Sequence, residues 1–151
     1  LGVILKNAGI DCNEIEVKSN EVFFLRDNQL VFPVAAKEKL VKKADGWALD
    51  IYVFSPRPLD DLLIEPNMPK LTLVVKAKEC QLAINDKAYV AASQNRHEAT
   101  YKELPLLQGW NKVSIKIGER DKNEFSGNFR CDNRNEFLSS LKVMFVNPEV
   151  K

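Results

Sequence analysis

The sequence has one histidine, His97, in 151 residues. That excludes metal centres built from several imidazoles, and any nucleophile–histidine pair must use this one ring. Its three cysteines, Cys12, Cys80 and Cys131, include no C-x-x-C pair, which excludes a zinc ribbon and a disulfide-stapled scaffold. Two readings stay open for them: three buried thiols acting as small hydrophobes, or one Cys80–Cys131 disulfide with Cys12 left over. An excess of one charge is also missing, since 22 Lys and Arg face 21 Asp and Glu for a formal net charge of +1. The basic surplus that draws a nucleic-acid backbone is therefore absent, and no nucleic-acid partner is expected. No apolar run approaches the roughly 20 residues of a membrane helix; the longest, such as Leu71 to Val75, are strand-sized. The chain lacks an Asn-x-Ser/Thr sequon, a Gly-rich phosphate loop, G-x-S-x-G and H-E-x-x-H, so the common nucleophile, phosphate and zinc-protease motifs are excluded. It opens at Leu1 with neither Met nor a signal-like stretch, and is expected to be a piece of a longer or processed polypeptide.

What is present reads as one domain over 1–151, because the length suits a single core and no flexible linker or repeat divides the chain. Period-two alternation is clearest from Trp47 to Phe54, where Trp47, Leu49, Ile51 and Val53 share a face. Val113, Ile115 and Ile117 form a second such set. Two hairpins are expected, one joining Val22–Leu25 to Leu30–Val34 across a polar gap at 26–29. The other joins Gln81–Ile84 to Lys87–Ala91 across Asn85-Asp86, residues that tolerate positive φ. Further strands are expected at 71–77, 99–104, 112–117, 125–131 and 141–146. Most prolines fall between these runs, and Pro33 marks an edge strand or a strand end. The Ala/Lys/Glu-rich stretch Ala35–Lys43 reads as a short helix or a charged loop, and Asn135–Ser140 as one short turn. Many short strands separated by turn signals predict an all-β fold, an antiparallel β-sandwich.

Two segments carry a family likeness. Leu82-Ala83-Ile84-Asn85-Asp86-Lys87-Ala88-Tyr89-Val90 resembles the "lWlNGkxV" hairpin of galactose-binding-like jelly-roll modules. Leu104-Pro105-Leu106-Leu107-Gln108-Gly109-Trp110-Asn111-Lys112-Val113-Ser114-Ile115-Lys116-Ile117 is similar to their "vpLkxGwNxixvKv" strand. With Ile51–Pro56 before them and Leu141–Val143 as a closing strand, the resemblance spans residues 47–146. It departs from the pattern at Asp86, where the family has glycine, and at Ala83, where it often has tryptophan; the first 46 residues carry no likeness. Such modules are appended to bacterial glycoside hydrolases, lyases and esterases, so the resemblance implies a secreted or cell-surface jelly roll beside a catalytic domain. Some of these modules bind carbohydrate and others only brace their neighbour.

Sugar sites on β-sandwiches use aromatic faces for pyranose rings and polar loop side chains for hydroxyls. Tyr89, Arg96 and His97, after the second hairpin, are candidate carbohydrate-binding residues within a polar stretch running from Gln94 to Glu98. Arg96 would offer planar donors to hydroxyls or a uronate carboxylate, and Tyr89 a ring for stacking. Trp110, read as part of a Gly109-Trp110-Asn111 turn, is a further candidate, as is Trp47; core or strand-end packing is the competing reading for both tryptophans. A solvated loop is the competing reading for 94–98. Asp60, Asp61 and Glu65 offer oxygens of the kind calcium takes, without EF-hand spacing. No acid pair is marked for glycosidase chemistry, so no catalytic residue and no cofactor are assigned. Two functions stay open: a non-catalytic module that binds a polysaccharide or oligosaccharide, and a structural sandwich that braces an adjoining catalytic domain.

Overall fold

A computed structural model of the chain describes residues 22–59 and 68–146. Two antiparallel sheets face each other across one apolar core, as an all-β sandwich. The first sheet has the order β1 (Phe24–Arg26), β2 (Gln29–Val31), β11 (Ser126–Arg130), β5 (Leu71–Lys76), β9 (Ala99–Leu104), β8 (Ser93–Gln94). The second runs β12 (Lys142–Met144), β4 (Gly46–Ser55), β10 (Gly109–Gly118), β6 (Cys80–Ile84), β7 (Lys87–Tyr89). A further strand, β3 (Val41–Lys43), pairs with the first half of β4.

The alternation in β4 does what its period requires. Leu49, Ile51 and Val53 are buried, as are Val113, Ile115 and Ile117 on β10, whose ladder with β4 runs unbroken from Gly109↔Ser55 to Gly118↔Gly46. Trp47 is half-buried at the end of this face, with its indole N–H donating to the Glu119 carbonyl at 3.1 Å. Gly46 is required where it stands, because a Cβ there would lie 2.1 Å from the Ile117 carbonyl oxygen. The Asn85-Asp86 hairpin forms as expected, both residues taking positive φ. The first hairpin is tighter than expected: Asp27 and Asn28 alone form its turn, at φ 51° and 61°, and Arg26 and Gln29 pair across the ladder.

Two other expectations change, and of the two readings of the cysteines the disulfide is excluded. The 35–43 stretch does not form one helix: a 3-10 helix covers Val34–Lys39, and Val41–Lys43 is drawn into pairing with Gly46–Ala48. A six-residue helix has too few internal hydrogen bonds to outcompete a strand partner brought back by the Ala44-Asp45 turn. Trp110 lies in β10, not in a turn, because the β4 ladder extends past Lys112 and the change of direction falls at Gly109, φ 97°. Cys80 and Cys131 are free thiols, lying near opposite ends of the sandwich, at the Ala77–Glu79 end and the Leu71 end of β5. Cys12, Asp60, Asp61 and Glu65 lie outside the described residues.

One buried polar side chain closes the end of the sandwich that carries the Asn85-Asp86 turn. Asn111, 1% exposed, accepts from the Asn85 amide at 2.9 Å and the Leu107 N–H at 2.8 Å. Its own Nδ2 donates toward the carbonyls of Leu107, Gly109 and Val53 at 2.9, 3.1 and 3.3 Å. Asn85 in turn exchanges hydrogen bonds with Lys112, at 2.9 Å to the Lys112 N–H and 2.8 Å to its carbonyl. Asn111→Ala leaves the buried Val53 carbonyl and the part-buried groups around it without this partner, and should cost about 2 to 4 kcal/mol in urea unfolding. A loss below about 0.5 kcal/mol, the range of exposed sites, would remove Asn111 from this role.

Candidate functional site

At the other end of the sandwich, loops from both sheets surround a cleft of about 490 Å³. Three segments remote in sequence build its walls: the 3-10 helix at Lys37, the end of β5 at Lys76–Lys78, and the β8–β9 loop at Arg96–Glu98. The floor and far wall come from Asp121 and from Glu124, Phe125 and Ser126, which lead into β11. The residue set is almost wholly polar. Phe125 is the only aromatic carbon ring among them and is 1% exposed.

Two hydrogen-bonded clamps fix the walls. Asp121 accepts the main-chain N–H groups of Lys78 at 2.9 Å and of Glu79 and Gly118 at 3.1 Å each, tying the β5–β6 connection to the end of β10. The loop carrying Arg96 and His97 is equally tied. The Asn95 Oδ1 accepts the N–H of His97 at 2.7 Å and of Glu98 at 2.9 Å, an Asx turn. Gln94 Nε2 points at the carbonyls of Asn95, Glu98 and Ala77, at 2.6, 3.1 and 3.3 Å. The polar stretch 94–98 is thus an ordered loop whose main chain is satisfied internally, which leaves the side chains of Arg96 and His97 directed by a fixed backbone.

Of the residues singled out from sequence, the cleft brings together Arg96 and His97. Tyr89 stands on β7, the edge strand of the second sheet, half-buried against the core with Lys87 Nζ 5.6 Å from its ring centroid, outside the cleft lining. Trp110 is at the far end: eight residue steps along β10 take the chain from it to Gly118, roughly 27 Å of strand. Its ring packs edge-on against Phe54 at 5.4 Å on the outer face of the second sheet. Trp47 is nearer the cleft, but Lys122 and Lys42 lie 4.1 and 5.6 Å from its ring centroid, so its face is not free. The sequence reading missed Lys37, Lys76, Lys78 and Glu124. Each sits in a locally unremarkable charged stretch, and only strand order brings them to one mouth.

The chain matches no protein-family model, no curated protein and no solved structure. The jelly-roll likeness therefore rests on its sequence segments. Among the described residues no helix is long and apolar enough to cross a membrane, and no three His, Cys, Asp or Glu side chains gather as metal ligands.

The titration of two neighbouring groups is altered beside the cleft. Burial, with a further push from Asp121, raises the Cys80 thiol from 9.0 to about 11. Burial also raises Tyr101, whose hydroxyl donates to the Cys80 carbonyl at 3.3 Å. On the surface, Lys116 holds Asp45 below the usual carboxylate range, with ammonium and carboxylate 2.8 Å apart. For Cys80 the folded state keeps its proton at pH values where the unfolded thiol has lost it. The associated stability is complete below pH 9 and is lost as pH rises toward about 11. The melting temperature should accordingly fall over that window, and Cys80→Ala should flatten the fall. A profile identical in both proteins would show that Cys80 is not titrating as a buried thiol.

Proposed function

We propose that this chain is a non-catalytic carbohydrate-binding module of the galactose-binding-like jelly-roll kind, binding polysaccharide or oligosaccharide beside an adjoining catalytic domain at the cell surface or outside the cell. The observation that carries the reading is the cleft itself. A rigid sandwich offers, at one loop end, a concavity within the size range of ligand sites, about 300 to 1,000 Å³, lined by both hydrogen-bond donors and acceptors. Sugars need both, since each hydroxyl donates and accepts. Arg96, His97 and Glu98 project from a loop held by Asn95 and Gln94, so little ordering entropy is lost on binding. Asp121 is occupied by three main-chain donors, which makes it a poor proton shuttle and supports binding over hydrolysis.

One observation favours the bracing function instead. On the first hairpin, Val22, Phe24 and Leu25 are 42%, 41% and 53% exposed at the edge of the first sheet, an apolar strip suited to contact with a neighbouring domain.

Screening the protein on plant, algal and host glycans, followed by calorimetry, separates the two. Binding is expected with Kd of about 0.1 to 1 mM, worth only about 4 to 5.5 kcal/mol. Arg96→Ala should weaken it severalfold, Trp110→Ala should leave it unchanged, and no new reducing ends should appear on prolonged incubation. Absence of binding across the panel favours bracing, and loss on Trp110→Ala alone moves the site to the far end.

A further inference from the structure

We infer that the cleft recognises acidic sugars, those carrying carboxylate or sulfate groups, through Lys37, Lys76, Lys78 and Arg96; this rests on the carbohydrate-binding reading above. The first ground is charge. Among the described residues none of these four side chains enters an ion pair, although at least six other cationic side chains do. Unpaired cations gathered at one concavity raise the positive potential there and gain from an anionic ligand. The second ground is what the cleft lacks. A neutral glycan is held largely by stacking on aromatic faces, and the one aromatic carbon ring here, Phe125, is buried. The half-buried pair of Trp110 and Phe54 lies at the opposite end. Affinity at this cleft must therefore come from charge-assisted hydrogen bonds, which are shorter and stronger than neutral ones.

The acidic side chains fit the same ligand. Glu98 and Glu124 line the cleft without ion-pair partners among the described residues and act as acceptors for sugar hydroxyls. A bare polyanion has no hydroxyls to give them and would be repelled. The mixture of four cations with three carboxylates, of which Asp121 is already engaged by three main-chain N–H groups, thus selects a polyhydroxylated acid over a simple phosphate chain. Arg96 supplies a planar fork suited to a carboxylate, and the three ammonium groups serve either a carboxylate or a sulfate.

The test is calorimetry on the intact chain with four probes: trigalacturonate, its carboxyl-reduced neutral trisaccharide, a sulfated galactan oligosaccharide, and inorganic polyphosphate. At least one of the two acidic sugars should bind, about tenfold or more tighter than the neutral trisaccharide, with affinity falling as salt rises. Which of the two binds identifies carboxylate or sulfate as the source. Lys78→Gln and Arg96→Gln, neither of whose side chains supports the fold, should each weaken binding severalfold without lowering the melting temperature. Equal binding of acidic and neutral trisaccharides overturns the acidic inference while the carbohydrate-binding reading stands. Polyphosphate binding as tightly as the sugars also overturns it, since charge alone would then suffice. Failure of both acidic sugars overturns it too, and failure of all the sugars removes the carbohydrate-binding reading as well.

Discussion

The carboxamide of Asn111 joins three segments that are far apart in sequence, and the sandwich is built outward from that junction. It reaches β4 at Val53, the connection from β9 at Leu107, and the β6–β7 turn at Asn85. Each of these segments belongs to or borders the β4–β10–β6 centre of the second sheet, whose inner face supplies Ile51, Val53, Leu82 and Ile115 to the core. A buried amide that fills its capacity in this way fixes register, because a shift of one residue would strand several polar groups in an apolar surround. With register fixed at the Asn111 end, the ten-residue β4–β10 ladder carries it to Gly118, where the cleft begins.

The two ends of the sandwich are consequently different in kind. At the Asn111 end, polar groups satisfy one another and Trp110 packs on Phe54, leaving little for a ligand. At the Gly118 end, the carboxylate of Asp121 plays the organising part, holding the main chain of Lys78, Glu79 and Gly118. Here the hydrogen bonds lock backbone and leave the Lys and Arg heads that line the cleft without ion pairs. An arrangement that satisfies its main chain internally while its Lys and Arg heads stay free is suited to a polar, charged ligand that needs no induced ordering.

Local chemistry explains what the sequence made legible. Asn85-Asp86 could be read as a tight turn because few residues accept two successive positive φ values, and the β4 face because alternation admits one burial pattern. The same logic applies to Asp27-Asn28, but the polar side chains of Arg26 and Gln29 read as part of the gap although the two residues pair in the ladder. Trp110 was misplaced because a glycine followed by a polar residue reads as a turn, whereas the partner strand that extends β10 over it is about 55 residues away in sequence, at Phe54. The cleft was half legible. Arg96 and His97 stood out in a polar loop, but Lys37, Lys76 and Lys78 are ordinary solvated lysines until strand order brings the Val34–Lys39 helix, the end of β5 and the β8–β9 loop together.

In the proposed binding role, ligand meets the sandwich at the Asp121 end and not at the Asn111 end. Amide and indole NMR shifts of the nitrogen-15-labelled chain during titration with trigalacturonate or a sulfated galactan oligosaccharide test it most directly. Progressive shifts are expected at Ala77, Arg96 to Glu98 and Ser126, while the Trp110 indole and the Asn85 and Asn111 side-chain amides stay in place. Shifts centred on Trp110 and Phe54, with Arg96 to Glu98 unmoved, would contradict it.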